Sequence, residues 1–566
     1  MRAPFFWNLL FAGALAAPQA ASSTSSAAAS VCTGNTASDR STWCDYDIQT
    51  DWYSEVPDTG VTVEYWFDIT NTTVSPDGVE RMALAVNGSI PGPTIEANWG
   101  DTVIVHVMNS MQNNGTGIHW HGIRQNWTNW MDGVPSITQC PIAPGDSMTY
   151  TWRATSYGSS WYHSHFSLQA WNGVFGPMVI HGPASANYDE DMGPVLLSDW
   201  SHRTSDELYQ YAQTQGPPDL DNALINGLNV YNDSGNILGS RWETSVTSGS
   251  SYRLRLVNTA IDTHFKFMID NHTLTVIAMD FVPIEPYQTE YLDINMGQRY
   301  DVVITADQEE KDYWIRAIPQ AACSSNANVD NIRAILRYDS SSTAEPTTAA
   351  YTDFVDECVD EPYASLVPAL VQNPTSSMVA SDSTDMPVTV GVLNNLFKWY
   401  ISAKTMAVEW GSPTTMSVYN GKTDWTDNDH IVELTAANEW VYFVIETAQG
   451  VPHPFHLHGH DFWILAAGTG TYSESVTLNT ANPPRRDVAT LPASGYIVIS
   501  FYTDNPGAWL MHCHIGWHTS EGLAMQFLER ASEMEAVMSA STMSDTCTAW
   551  DTYASANGVE EEDSGV

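Results

Sequence analysis

The chain has 566 residues, with 66 acidic against 21 basic side chains and a formal charge of −45. That length suits roughly three to four domains, each able to bury its own core. The charge argues against nucleic acid and anionic membranes as partners, and it suits an acidic medium, where carboxylates lose their charge.

Residues 1–20 read as a secretory signal. Arg2 is the charged start, Phe5–Ala17 the apolar stretch, and Ala14-Leu15-Ala16 or the alanines near Ala20 the cleavage sites. The stretch is too short to span a bilayer, and no later run reaches the ~18–20 apolar residues needed. A Ser/Ala-rich extension follows within 21–45, so the expectation is a soluble, secreted, extracellular protein. Cysteine usage agrees. Of seven cysteines, Cys513 stands among histidines; Cys32, Cys44, Cys140, Cys323, Cys358 and Cys547 remain. Six cysteines allow fifteen pairings; the local pairs Cys32–Cys44 and Cys323–Cys358 would leave Cys140–Cys547 to tie the early chain to its end. Such bonds imply an oxidising compartment. Six N-x-S/T sequons, at Asn71, Asn87, Asn114, Asn126, Asn232 and Asn271, fit a glycoprotein.

Downstream the chain alternates apolar and polar residues over short runs broken by Gly, Pro, Asn and Asp, as in Thr102–Met108, Tyr252–Val257 and Val441–Ile445. Helical periodicity is scarce before the last 50 or so residues. A weak repeat is visible: GDTVIVHVMN (100–109), GSSYRLRLVN (249–258) and NEWVYFVIET (438–447) share a turn-then-strand form. Each precedes a further strand pattern, at Pro177–His181, Arg299–Thr305 and Gly495–Tyr502. Three similar β units are the simplest reading, built as sandwiches or barrels. The stretches 339–350 and 373–385 read as connections between the second and third units.

The histidines carry the chemistry. Four His-x-His pairs occur: His119/His121, His163/His165, His456/His458, and His512/His514 with Cys513 between them. In a strand successive side chains face opposite sides, so each pair presents two rings one way, and Cys513 faces away from its neighbours. His453 has the opposite parity to His456 and His458. The eight paired imidazoles suit a three-metal cluster. His453, Cys513 and His518 remain, and a His₂Cys set with a weak or absent axial ligand is a blue-copper electron-transfer site. Structural zinc takes four ligands and usually more cysteine. The isolated His106, His181, His202, His264, His272 and His430 read as hydrogen-bonded core or surface residues; His460, within HLHGH, is ambiguous.

The segments HWHGIRQNWTNWMDG (119–133), WYHSHFS (161–167), HPFHLHGHDF (453–462) and NPGAWLMHCHIGWHTSEGL (505–523) resemble those of the multicopper oxidases, and within them the laccases of filamentous fungi, in the family's order. The resemblance runs from about residue 60 to the end. It implies an all-β chain of three cupredoxin-like Greek-key β-barrel domains, over 46–183, 184–345 and 346–566, with short helices mostly near the C-terminus. It implies four copper ions: one type 1 held by His453, Cys513 and His518, one type 2 by His119 and His456, and two type 3 by His121, His163, His514 and by His165, His458, His512. The implied reaction couples one-electron oxidations of small phenolic donors to reduction of dioxygen to water by a monomer.

The resemblance also gives roles to other residues. Leu523, ten residues after Cys513, stands where many blue-copper proteins have an axial methionine; leucine cannot coordinate, which should raise the potential. Asp132 matches a carboxylate near type 2 copper and is a candidate proton donor or relay, with Asp487 in PPRRDV a second. Asp262 in NTAIDTHF aligns with the carboxylate that holds a phenolic hydroxyl. The ending Asp563-Ser564-Gly565-Val566 is similar to tails that insert into the channel to the cluster. Ascorbate, Fe(II) or a pigment precursor stays open as the donor, as does copper binding without turnover.

Overall fold

The three repeated segments are strands, and each occupies the same place in its unit. Thr102–Asn109 runs parallel to Thr62–Val74, Ser251–Asn258 parallel to Glu190–Trp200, and Trp440–Thr447 parallel to Val379–Leu393. Burial alternates as the pleat requires: Val103, Val105, Val107 and Asn109 face inward in the first, because period-2 placement of β-branched side chains fills one face of a sheet. Each repeat then pairs antiparallel with a later strand. In the second and third units these are the expected Arg299–Thr305 and Gly495–Tyr502. In the first unit the partner is Ser147–Arg153. The strand containing Pro177–His181 lies in the other sheet, against Gly158–Ser164 and Ile95–Asn98.

The structure is a computed structural model that describes residues 33–375, 379–536, 538–563 and 565. Each unit is built on two main sheets, of four and four strands in the first and of six and five in the second and third. One apolar core runs through all three, from Phe67 and Trp120 through Leu254 and Phe267 to Phe443 and Phe527. The signal segment 1–20 and most of the extension lie outside the described residues. No helix among the described residues is long and apolar enough to cross a membrane.

One expectation needs correction. The stretch 373–385 is not wholly a connection: strand Val379–Leu393 begins within it. Its Ser/Thr/Asp content hid a strand whose partner, Trp440–Thr447, is supplied by distant sequence. Helices lie mostly near the C-terminal end, as expected, and the longest, Ala540–Asn557, is there. Ser205–Gln215 is an 11-residue helix in the middle unit, started by a reciprocal capping box between Thr204 and Glu207.

Disulfides Cys140–Cys547 and Cys323–Cys358 form as expected. Cys44 is disulfide-bonded, while Cys32 lies outside the described residues. The Cys140–Cys547 bond fastens helix Ala540–Asn557 to the first unit. The tail folds back beyond it, with Glu562–Asp563 pairing with Val408–Glu409. Gly565 is seated so close to Ser520 that a Cβ would fall 2.9 Å from its Cα; Ser564 and Val566 lie outside the described residues.

Candidate metal centre

Each histidine pair sits where a strand runs out. His119 ends in strand Ile118–Trp120, His163 in Gly158–Ser164, His456 in His453–Leu457 and His512 in Gly507–Cys513; His121, His165, His458 and His514 are each the first residue past those strands. The first unit sets His119 opposite His163 on adjacent antiparallel strands, and the third sets His456 opposite His512. The same device therefore appears twice, at facing strand ends of two units.

The two sets interleave. His121 stacks on His456 with ring centroids 3.8 Å apart, and His119 on His458 at 3.9 Å. His165 meets His512 at 5.1 Å, and His514 meets His121 at 5.2 Å and His163 at 5.8 Å. All eight rings are buried. Ligand atoms of His165, His458 and His512 lie within 4.8 Å of one another, as do those of His119, His456 and His458, and of His119, His121 and His163.

Hydrogen bonds orient five of these rings from behind. Their Nδ1–H groups donate to backbone or carboxylate oxygens: His119 to the Asp132 carbonyl (3.0 Å), His163 to the Ser164 carbonyl (3.0 Å), His456 to the Asp487 carbonyl (2.9 Å), His512 to the Cys513 carbonyl (2.9 Å) and His458 to the Asp132 carboxylate (2.8 Å). Nε2 of all eight is buried with no hydrogen-bond partner among the described residues. Buried ring nitrogens left this way are costly. Burial pushes the imidazoles of His121, His163, His165, His456, His458 and His514 well below the ordinary range, and neighbouring rings push them further. A neutral imidazole with a free Nε2 and a tied Nδ1–H is a metal ligand with its orientation fixed.

The second group is smaller. Cys513 Sγ lies 3.8 Å from His453 Nδ1 and 3.7 Å from His518 Nδ1, with the two nitrogens 3.2 Å apart. Cys513 is the free cysteine among the described residues and is buried. Burial pushes its thiol up and His453 down to about 3; a cation between them reverses the cost of a buried thiolate. Trp399 packs against both rings, at 4.8 Å from His453 and 4.3 Å from His518. Leu523 is fully buried and its carbonyl accepts the Cys513 N–H at 3.1 Å. Cys513 pairs with Phe455 and His512 with His456, and the ligand atoms of these two neighbours fall in different groups.

The three carboxylates differ. Asp132 bridges the units: one oxygen meets His458 Nδ1 at 2.8 Å, the other lies 3.2 Å from His119 Nδ1. Asp487 places Oδ1 3.4 Å from His121 Nε2 and 3.7 Å from His456 Nδ1. Burial pushes its carboxyl up to about 7 despite Arg299, with Asp280 adding to the rise. Asp262 is buried near the smaller group. Its backbone N–H donates to Asp199; burial and the Asp199 carboxylate push its own carboxyl well above the usual range, opposed by Trp517, the neighbour of His518.

The isolated histidines go elsewhere, as expected. His106 bonds Thr149, His181 meets Glu96, His202 Asp77, His264 Asp293, His272 Tyr338 and His430 the Ala524 carbonyl. His460 pairs with Glu529 at 3.0 Å and stays out of both groups. The sequence did not signal Arg299, Trp399 or Trp161, which packs 4.2 Å from His163; single residues on ordinary strands carry no spacing pattern.

Three family models, each described as multicopper oxidase, match residues 68–185, 191–341 and 398–533. Laccase-2 of Botryotinia fuckeliana is 48% identical over 547 residues, covering 94% of this chain and 93% of its own. The crystal structure of a laccase from Botrytis aclada superposes with a TM-score of 0.90 at 47% identity, covering 94% of this chain and all of that one. That of Fet3p, described as a multicopper oxidase that functions in iron import, superposes at 0.78 with 26% identity, covering 87% and 95%.

Proposed function

The chain belongs to the multicopper oxidase family, and on that premise we propose that it is a secreted, monomeric laccase holding four copper ions. The single observation that carries the copper reading is the set of eight buried Nε2 atoms without hydrogen-bond partners among the described residues, seven of them on histidines whose ligand atoms gather in groups within 4.8 Å. Imidazole suits copper. His119 and His456 would hold the type 2 ion; His121, His163, His514 and His165, His458, His512 the two type 3 ions; and His453, Cys513 and His518 the type 1 ion, with the non-coordinating Leu523 buried beside Cys513. Copper at these sites supplies one-electron chemistry, taking electrons from a donor and delivering four to dioxygen to give two waters.

The remaining work belongs to the chain. The polypeptide joins Cys513 directly to His512 and His514, so the two groups are linked by covalent bonds alone. Asp132 holds His119 and His458 in register and is placed to pass a proton to the cluster's edge; Asp487 is the second such group. Asp262, beside Trp517, takes the proton a phenol sheds as it loses an electron. The apolar wall of Trp399 and Leu523 keeps water from the thiolate. The secretory reading rests on residues 1–20 and on the disulfides, which suit an oxidising compartment.

Copper analysis joined to oxygen uptake tests this reading. Four coppers per chain and four phenol oxidations per dioxygen consumed are expected. Copper bound with no oxygen uptake on any reductant would leave a copper-binding protein without turnover.

A further inference from the structure

Arg299 belongs to the middle unit, which contributes no histidine to either group, yet its guanidinium ends at the histidine cluster. Nη1 donates to Asp487 Oδ1 at 2.5 Å and Nη2 to Asp487 Oδ2 at 2.6 Å. Nε donates to the Ser159 carbonyl (3.3 Å), on the strand that carries His163, and Nη1 also reaches the Gly297 carbonyl (3.2 Å). The Arg299 N–H donates to Asp280, which also accepts from Arg486. Both members of the Arg299–Asp487 pair are about 1% exposed. The carboxylate so held faces His121 of the first unit and His456 of the third.

Two glycines mark how tight the fit is. A Cβ on Gly122, next to His121, would fall 2.5 Å from Arg299 Nη2 and 2.7 Å from Asp487 Oδ2; one on Gly297 would fall 2.7 Å from His514 Cδ2. Both glycines also have positive φ, +79° and +80°, which side chains rarely adopt. The approach of the middle unit to the cluster is therefore built to contact distance.

We propose that Arg299 is a positioning residue for the histidine cluster: its two-pronged hold on Asp487 fixes the carboxylate between His121 and His456, and so sets the spacing of rings contributed by two different units. The proposal rests on the copper reading above. A bidentate guanidinium fixes a carboxylate in plane and position, which a lysine ammonium cannot do. Residues behind a metal ligand typically change metal affinity or activity ~10–100-fold when removed.

The test compares Arg299→Lys and Arg299→Gln with Arg316→Gln in copper-loaded protein. Arg316 makes an equally two-pronged bond to Asp270 in the same unit, at 2.7 Å on both prongs, and the histidine this pair touches, at the Asp270 carbonyl, is His272, outside the cluster, so it reports the general cost of breaking a buried ion pair. Readouts are copper per chain, the paramagnetic signal of the cluster copper, the visible band of the Cys513 site, and KM for dioxygen against kcat. Both Arg299 variants should keep the Cys513-site band, alter the cluster signal or lose cluster copper, and drop ~10–100-fold in oxygen turnover. Arg299→Lys should be the milder, and Arg316→Gln should change melting temperature alone. If Arg299→Gln does not fold, Arg299→Lys decides. Arg299 variants that match Arg316→Gln, with copper content, spectra and oxygen kinetics intact, would overturn the proposal while leaving the laccase reading in place. Wild-type protein that takes up no copper would remove that reading itself.

Discussion

Asp132 and His458 are 326 residues apart, yet the Asp132 carboxylate accepts the His458 Nδ1–H at 2.8 Å across the contact between the first and third units. Its other oxygen lies 3.2 Å from His119 Nδ1. Asp132 thus orients a ring from each unit, His458 through its carboxylate and His119 through its backbone carbonyl, and the site exists only when the units are docked. This adds a structural duty to the proton role expected from the sequence.

Asp132→Asn keeps the shape and the carbonyl that holds His119, but replaces the charged acceptor of the His458 Nδ1–H with a neutral amide. Oxygen turnover should fall ~10–100-fold, read with copper content measured on the same sample. An unchanged oxygen-reducing step in fully loaded protein would remove both duties.

Asp262→Asn cannot take up a phenolic proton. With phenols, kcat/KM should fall on the order of 10²-fold, and non-phenolic donors should lose much less. Equal losses would assign Asp262 to packing beside Asp199 and Trp517.

Leu523→Met places a thioether at the axial position of the Cys513 site. It should lower the potential, since an axial ligand favours the oxidised ion. A redox titration followed on the visible band decides, and a potential that does not fall contradicts the axial account.

His430 offers a pH prediction at a histidine that belongs to neither group. Burial pushes it down to about 4, even though the Ala524 carbonyl accepts its Nδ1–H. The folded chain thus keeps it neutral where the unfolded chain, near pH 6.5, takes up a proton. Above about 6.5 neither state is charged and folding loses nothing; as pH falls from about 6.5 to about 4 the unfolded state gains protons and stability drops. Melting curves of wild type and His430→Gln should therefore diverge in that window, with the wild type losing more. Parallel curves would show that His430 titrates normally.

Much of this was legible in the sequence because metal ligands come in spacings that strands impose. The His-x-His pairs and the parity of Cys513 marked two sites on one strand, and His512 opposite His456 realises that pattern. The triple repeat marked three units, since each repeat is the strand that joins a parallel to an antiparallel neighbour. What stayed hidden is what depends on docking. Arg299 reaches Asp487 over 188 residues of chain, and nothing local to QRYD announces it. Strand Val379–Leu393 was missed because its Ser, Thr and Asp residues look like linker until Trp440–Thr447 lies alongside. Helix Ser205–Gln215 carried its signal openly in Thr204 and Glu207, but a single capping box in a β-rich chain was outweighed by the surrounding strands.

The most direct test of the account is oxygen uptake by copper-loaded protein with a methoxyphenol, ascorbate and Fe(II) compared side by side. Rapid uptake with the phenol and little with the other two is the result the account predicts. Preference for ascorbate or Fe(II) would keep the histidine and cysteine assignments but contradict the phenol-oxidising reading and the role given to Asp262.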